Sequence, residues 1–560
     1  MNREIGEKLN LIGQLLEITG DNVFKIRAFY KAAETIDRMA GPVAEMSEEE
    51  LVAVPGIGKA IAKKVRDIVE TGTCGELEEL KTKIPPALID LLKLEGVGPK
   101  TVATLWKKMN IQSIEDLEKA AKGRRIRAVK GFGEKKESAI LDAIALYRSA
   151  GGRMNRLEAE AVVNKVAGAL TPGTWEAAGS YRRGKSTVGD IDIVSRETPS
   201  AVNPRLRTVA DEIIDEGDRR TSVRVLGQRV DIRFSKERQF GSMMIYLTGS
   251  KDFNIRLREI AIAKGLKINE YGIEERADAK LHEFPTEQEM FRYLGLDYIT
   301  PELRENQGEI ERATEGKLPG LVTGADIRGD LHVHTSWSDG FLTIADLAKK
   351  GEELGYEYLL CSDHSASLGI THGLDEEKLK NQGHEIELVN RNGSGCTILH
   401  GIEVDILSNG TLGLPDQALA DLDVVIASVH SGLKEDRDTL SRRVITAMEN
   451  EHVDIVGHPT GRILGKRQEF EIDMPRIIEI AATTGTALEC NASPWRLDLD
   501  DRYVKPARDR GALISLGTDS HQYDEFSFMR FGVTIARRGW CGPADLLNTR
   551  SKKELLAWAS

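Results

Sequence analysis

From residue 330 onward, short apolar runs recur, and most of them stop at a histidine or an acid. "DLHVHTSWSD" supplies His332, His334 and Asp339, "CSDHS" supplies His364, and "GIEVDI" supplies Glu403. "SVHSG", "GHPTG" and "GTDSH" add His430, His458, Asp519 and His521. The runs include "EYLLCSD", "LDVVIASVH", "VDIVGHP" and "ALISLGTD", and helical stretches such as "TIADLAKKGEELGY" and "MPRIIEIAATTG" lie between them. Strands alternating with helices predict a parallel α/β barrel, which carries function at the C-terminal ends of its strands. A histidine or acid just past each strand then converges on one mouth.

Ten of the chain's 11 histidines follow residue 330. A lone histidine is more often a hydrogen-bonded structural residue, and His282, His384, His400 and His452 are read that way. Nine ligand-type residues at strand ends do not fit that reading. His-x-His on a strand points both imidazoles the same way, as a shared metal requires, and nitrogen and oxygen donors without sulfur favour Mn²⁺ or Zn²⁺. His372 in "ITHGL" and Arg462 in "GHPTGRILGKR" are candidates for substrate contact or for the surface.

A chain of 560 residues is too long for one hydrophobic core. Its net charge of −12 is unevenly spread, with about +2 over residues 1–150, −1 over 151–320 and −13 over 321–560. The average therefore does not exclude a nucleic-acid partner. A near-neutral front with clustered positives can hold phosphates, and an acidic back end fits a carboxylate-rich metal site. Cys74, Cys361, Cys396, Cys490 and Cys541 show no CxxC spacing, which argues against a disulfide framework or zinc ribbon and for a reducing cytoplasm. No apolar run approaches the ~20 residues of a membrane helix. The opening "MNREIGEKLNLIGQ" reads as a charged amphipathic helix rather than a signal peptide.

Residues 1–150 repeat one pattern three times: "VPGIGKA" with Gly56 and Gly58, "LEGVGPK" with Gly96 and Gly98, and "VKGFGEK" with Gly131 and Gly133. Each lies between helix-periodic stretches. The glycines allow a tight turn and leave backbone N–H groups bare at the next helix's N-terminus, where an anion can sit. One such turn would be only a turn. Three copies resemble helix-hairpin-helix modules, which hold the DNA backbone without reading sequence. Lys25, Lys59, Lys63 and Lys64 cluster around the first of them, as phosphate contacts or as a Schiff-base amine.

"AAGSYRRGKSTVGDIDIVS" joins a Gly-Ser pair and a basic turn to a short strand. Period-two geometry puts Asp190 and Asp192 on one face, opposite Ile191 and Ile193. Asp231 in "QRVDIRFS" supplies a third carboxylate on another short strand. Three carboxylates so placed can hold two Mg²⁺ ions, and Ser180 and Arg183 lie where a turn would offer donors to a triphosphate.

These segments, with "YLTGSKDFNIRLREIAIAKGLKINEYGI", resemble the palm and nucleotide-selecting subdomain of family X DNA polymerases, the DNA polymerase beta group. The resemblance implies that Asp190, Asp192 and Asp231 bind two catalytic Mg²⁺ (or Mn²⁺). It implies that Ser180, Arg183 and Gly189 hold the phosphates of an incoming dNTP, that Tyr246, Gly249 and Asn254 contact its sugar and base, and that Arg258 lies against the template's minor groove. Leu247 and Lys251 depart from the family, which often has a second aromatic and an acid there. The first departure bears on ribose discrimination, and Lys251 would strengthen nucleotide binding. Residues 1–80 resemble the family's lyase domain, with Lys64 at the Schiff-base position and Lys25 at a phosphate position, but Phe24 and Phe29 replace polar residues of lyase-active members. The final segment resembles the PHP domain, a distorted (β/α)₇ barrel with up to three metals, here Mn²⁺ or Zn²⁺. That resemblance implies phosphoester hydrolysis by a metal-activated hydroxide and, in polymerase-linked members, 3′→5′ exonuclease activity.

The expected chain is multidomain α+β and α/β. It runs as a lyase-like helical domain (1–80), a DNA-binding helical subdomain (81–150), a nucleotidyltransferase palm (151–240), a nucleotide-selecting subdomain (241–304), a linker (305–329) and the PHP barrel (330–560). Its expected activity is short-gap filling on gapped or nicked DNA with 3′-end processing, as a monomer in a prokaryotic cytoplasm at the nucleoid. Two alternatives compete: a barrel that is only a phosphomonoesterase, and a DNA-end scaffold with inactive centres.

Overall fold

The computed structural model describes residues 2–37, 39, 42–94, 96–149, 151–367, 372–393 and 395–559. Contacts divide the chain into two compact units: Met1–Gly151 with Gly465–Gln468 and Gln522–Asp524, and Gly152–Leu464 with Glu469–His521 and Glu525–Ser560.

The first unit is helical. Helices Glu48–Ala53 and Lys59–Thr71 flank the first glycine turn, and Pro86–Leu91 and Pro99–Met109 the second. A short 3₁₀ turn, Ile126–Ala128, and helix Glu134–Ser149 flank the third. The first glycine of each pair has φ of +97°, +73° and +91° at Gly56, Gly96 and Gly131, a region that L side chains resist. The apolar residue between the glycines (Ile57, Val97, Phe132) is buried in this unit's core, which explains the apolar position inside the motif. Gly58 and Gly98 cap the helices that follow, and a side chain at either would meet only open space.

The second unit carries helix Arg156–Ala167 and then a five-stranded sheet of β1 (Trp175–Ala177), β2 (Ile191–Ser195), β3 (Glu212–Glu216), β4 (Arg220–Val225) and β5 (Gln228–Phe234), in the order β1-β2-β5-β4-β3. Ile191 and Ile193 point into its core with no exposure. β2 and β5 run parallel with Asp192 opposite Asp231. Helices Phe240–Thr248, Lys251–Ala263 and Glu287–Tyr293 follow, with a small antiparallel sheet.

Residues 305–329, expected as a linker, are packed rather than loose. They carry helix Glu309–Thr314 and bury Glu309, Ile310, Ala313 and Val322. Within this segment, the buried Glu309 accepts from the Asn306 and Gln307 N–H groups at 2.7 and 2.6 Å.

Seven parallel strands then follow in sequence order: β6 (Gly329–Val333), β7 (Tyr358–Cys361), β8 (Thr397–Asp405), β9 (Val424–Ser428), β10 (Ile455–Val456), β11 (Ala487–Asn491) and β12 (Ile514–Gly517). They are buried almost throughout, as parallel strands covered on both faces must be. The two ends of the sheet meet at the mouth, where Asp519 N donates to His332 O and His334 N to Ser520 O, both at 2.9 Å. The seven-stranded α/β barrel read from the sequence is therefore present and nearly closed. Among the described residues, no helix is long and apolar enough to cross a membrane.

Candidate active sites

The barrel brings all nine expected ligand residues to one mouth. Three groups have donor atoms close enough to share an ion: His334, Asp339, His364 and His521; His332, His334 and Asp519; and His364, Glu403 and His430. Glu403, only 1% exposed, sits at the centre. Its Oε1 lies 3.0 Å from His458 Nε2 and 3.4 Å from His430 Nε2, and its Oε2 lies 2.8 Å from His364 Nδ1 and 3.6 Å from His332 Nε2. Yet neither oxygen accepts a hydrogen bond, and Nδ1 of His334, His364 and His458 is likewise buried without one. Buried polar atoms are rarely left this way. Converging donor atoms that satisfy nothing in the protein fit divalent cations, and the absence of sulfur among them fits hard or borderline ions.

A surrounding set of acids, missed in the sequence, orients the imidazoles. With the proton on Nδ1, His332 donates to Glu489 Oε1 at 2.7 Å and His430 donates to Asp405 Oδ1 at 2.8 Å, which leaves Nε2 of each ring facing the centre. His521 Nδ1 is held by the Asp519 carbonyl at 2.8 Å. Burial pushes His334 down to about 4, with His521 and His364 adding like-charge repulsion. Burial would also lower His430, but Glu403 and Asp405 outweigh it and raise it to about 10. Protons thus compete with cations for the same nitrogens.

His282, His384, His400 and His452 lie outside this cluster; His282, for one, pairs with Glu275 at 2.6 Å. Exposed His372 is also outside it. Arg462 is neither at the surface nor open to substrate. It is 6% exposed, pairs with Asp500, and donates from Nε to the Arg496 carbonyl at 2.8 Å.

In the sheet of β1–β5, Asp192 and Asp231 face each other, and Asp190 lies just before β2. Burial, then the charges of Asp190 and Asp231, raise Asp192 to about 6, a repulsion that divalent cations would relieve. The three carboxylates do not close on a single point. Arg229 Nε lies 3.1 Å from Asp231 Oδ2, and Ser222 Oγ donates to Asp231 Oδ1. Gly179 is needed where it stands: a β-carbon there would lie 2.5 Å from Asp192 Oδ2, at φ of +63°.

Ser180 lies in the short helix Gly179–Arg182 beside Asp192. Arg183 is held elsewhere, donating from Nε to Glu305 at 3.0 Å and from Nη1 to the Thr248 carbonyl at 2.8 Å. A β-carbon on Gly189 would lie 3.0 Å from Arg153 Nη1. Asn254 donates to the Tyr246 and Gly249 carbonyls at 2.9 and 3.2 Å, so these three form one fixed corner, and Arg258 lies over the Tyr246 ring at 5.7 Å. Lys251 is exposed at the start of its helix.

In the first unit, Lys59 is exposed on the hairpin. Lys25 and Lys64 share one carboxylate, Glu76, at 2.6 and 3.2 Å. Phe29 is buried in the core, whereas Phe24 is 81% exposed beside Lys25 in sequence.

Five family models match the chain in order: a helix-hairpin-helix domain (residues 1–74), a SAM-like helix-hairpin-helix tandem (88–145), the DNA polymerase beta palm (153–236), the DNA polymerase beta thumb (243–305) and the PHP domain (330–493). The chain is 36% identical over 569 residues to the DNA polymerase/3′-5′ exonuclease PolX of Bacillus subtilis (strain 168), covering 99% of each. It is 27% identical over 339 residues to DNA polymerase lambda of Rattus norvegicus, covering 54% of this chain and 56% of that one. Over 204 residues, 34% of this chain, it is 31% identical to a protein of Thermoanaerobacter sp. (strain X514) named as a probable phosphatase, 78% of which is covered.

Proposed function

Because the chain belongs to the PHP-containing family X DNA polymerases, we propose that it fills short gaps in DNA from the palm and trims 3′ ends at the barrel mouth. The enzyme class, DNA polymerase with 3′-5′ exonuclease, follows from full-length membership. The assignment of residues is our own. Asp190, Asp192 and Asp231 would hold two Mg²⁺ or Mn²⁺, and the nine barrel residues up to three Mn²⁺ or Zn²⁺. Divalent cations supply charge neutralisation for the phosphates in both sites and, in the barrel, an acidified water.

The protein's own groups do the rest. Gly179 lets the turn carrying Ser180 approach Asp192, which would bring its donors to a triphosphate held at the carboxylates. The Tyr246–Gly249–Asn254 corner fixes where a sugar and base would rest. The glycine hairpins of the first unit present bare N–H groups to DNA phosphates, and Lys64, beside Glu76, is the amine a 5′-deoxyribose phosphate would meet if the chain also acts as a lyase. A monomer on gapped or nicked DNA is the working unit we propose.

One observation carries the active-barrel reading over an inactive scaffold. Glu403 is buried among five imidazoles with no hydrogen bond to either oxygen, an arrangement that bound cations would stabilise. The test is a 5′-labelled primer on one-nucleotide-gapped DNA with Mn²⁺, with and without dNTPs. Lengthening with dNTPs and shortening without them is expected, the first abolished by Asp192→Asn and the second by His334→Ala. Extension without shortening would make the barrel a phosphomonoesterase. Binding with neither change would make the chain a scaffold.

A further inference from the structure

A recess of about 240 Å³ opens directly beside the candidate metal-ligand cluster, lined by Asp519 and His521 together with Ile463, Trp495, Arg496 and Phe528. Its lining joins two chemistries: a carboxylate and an imidazole of the candidate ion sites, and apolar and aromatic side chains with a guanidinium. We propose that this recess is the subsite for the terminal nucleoside of a DNA 3′ end, with Trp495 as the stacking platform for the base and Arg496 as the contact to the scissile phosphate. This assignment rests on the nuclease reading of the barrel given above.

Size, rigidity and charge support it. The volume is below the ~300–1,000 Å³ of pockets for drug-sized ligands, which leaves room for about one nucleoside. Trp495 is set edge-on against Phe528, with ring centroids 5.5 Å apart at 77°, and its carbonyl accepts from Leu464 N at 2.6 Å. The backbone behind it is pinned from below. Arg496 N and Leu497 N both donate to the Ser493 carbonyl, at 2.8 and 2.9 Å. The buried Arg462 donates to the carbonyls of Arg496 and Leu497. Arg462, a substrate candidate in the sequence, therefore serves this subsite indirectly, by fixing the turn that presents its two neighbours. Such a platform is preorganised, and little ordering would be lost on binding.

Arg496 lines the recess next to the candidate ion sites. Its Nε lies 3.4 Å from Asp519 Oδ2, and its side chain keeps 20% exposure. A phosphate resting on the cations would therefore meet Arg496 at its flank, while the nucleoside extends along the aromatic wall. Glu525, also on the lining, is engaged by His521 N at 2.8 Å and so belongs to the frame of the site. Base–aromatic stacking tolerates every base, which suits an exonuclease that must accept any terminal nucleotide.

The test compares dAMP with 2-deoxyribose 5-phosphate, by calorimetry on the Mn²⁺-loaded full chain. The unmodified protein is expected to bind dAMP about tenfold more tightly, the scale of one base–aromatic stack. Trp495→Ala should remove most of that difference and leave 2-deoxyribose 5-phosphate within twofold, which also shows that the variant is folded. Trp495→Phe should keep most of it, and Arg496→Ala should weaken both ligands alike. No preference for dAMP in the unmodified protein, or a preference that survives Trp495→Ala, overturns the proposal. Binding is read independently of turnover. A chain that prefers dAMP through Trp495 but never shortens a primer loses the nuclease reading and keeps the subsite; one that shortens primers at an unchanged rate in Trp495→Ala keeps the nuclease and loses the subsite.

Discussion

Arg538, the last residue of the barrel helix Met529–Arg538, donates from Nη1 to the backbone carbonyl of Arg183 at 2.6 Å. Its Nη2 meets Glu305 at 3.0 Å and Asp501 at 2.6 Å, and Glu305 also holds the Arg183 side chain. The turn carrying Arg183 thus rests on the barrel through a buried guanidinium. Removing it leaves Asp501 and Glu305 short of a cation, a loss of about 3–5 kcal/mol for a broken buried pair. Arg538→Ala is expected to lower the urea unfolding midpoint. Glu305, left with Arg183 and Lys185, should also hold Arg183 more firmly, raising KM for dNTP several-fold in single-nucleotide insertion. An unchanged midpoint would mean that the interface bears no load.

Glu489 faces two ways, with Oε1 toward His332 Nδ1 at 2.7 Å and Oε2 accepting from His458 N at 2.6 Å. Glutamine keeps the shape but loses the charge, and its amide NH₂ must face a donor at one of the two positions. Loss of a partner that orients a metal-binding histidine costs about 10–100-fold in metal affinity. Glu489→Gln should therefore retain less Mn²⁺ after dialysis, measured by elemental analysis, while primer extension from the palm continues at its normal rate.

Glu489 also shows where reading the sequence stops. Most of the nine candidate ligands were legible because they end or closely follow an apolar run, so that strand geometry collects them at one mouth. Glu489 lies inside such a run, "ALECN", where only its being an acid in an otherwise apolar strand marks it. Asp405 and Arg496 gave still weaker signals, because their importance lies in distances to residues 25 and 23 positions away in the chain, His430 and Asp519. The palm was legible as a pattern of carboxylates on short strands, whereas the register that sets Asp192 opposite Asp231 comes from the fold. That Arg183 is engaged by Glu305 could not be read, since it depends on the packing of a segment whose composition suggests a linker.

Glu287 makes the protein's stability sensitive to acid. It is buried between Arg182 and Arg304, at 2.8 and 2.6 Å. Burial would raise its carboxyl, but the two guanidiniums outweigh that and hold it at about 2, against an ordinary 4.5. A carboxyl depressed on folding stabilises the native state above its unfolded value, and that stability is lost as pH falls through the folded one. Unfolding free energy should therefore decline between about pH 4.5 and 2. Glu287→Gln should be less stable at neutral pH, because Arg304 is left buried without its partner, and flatter by one proton across that window in urea titrations at stepped pH.

Gly179 offers a cut between the two activities. An alanine methyl there would stand 2.5 Å from Asp192 Oδ2, at a φ of +63° that alanine resists. The far end of a carboxylate can swing aside, so the sheet should survive, but Asp192 would then leave its place opposite Asp231. Displacement by about 1 Å at a reacting centre costs on the order of 10²-fold in rate. Gly179→Ala is expected to lose nucleotide insertion by about that factor while shortening primers as the unmodified chain does. The barrel's ligands lie on β6–β12 and their loops, none of which includes residue 179. Equal loss of both activities would show that the substitution unfolds the second unit as a whole. Full retention of insertion would show that Asp192 does not need the position in which Gly179 admits it.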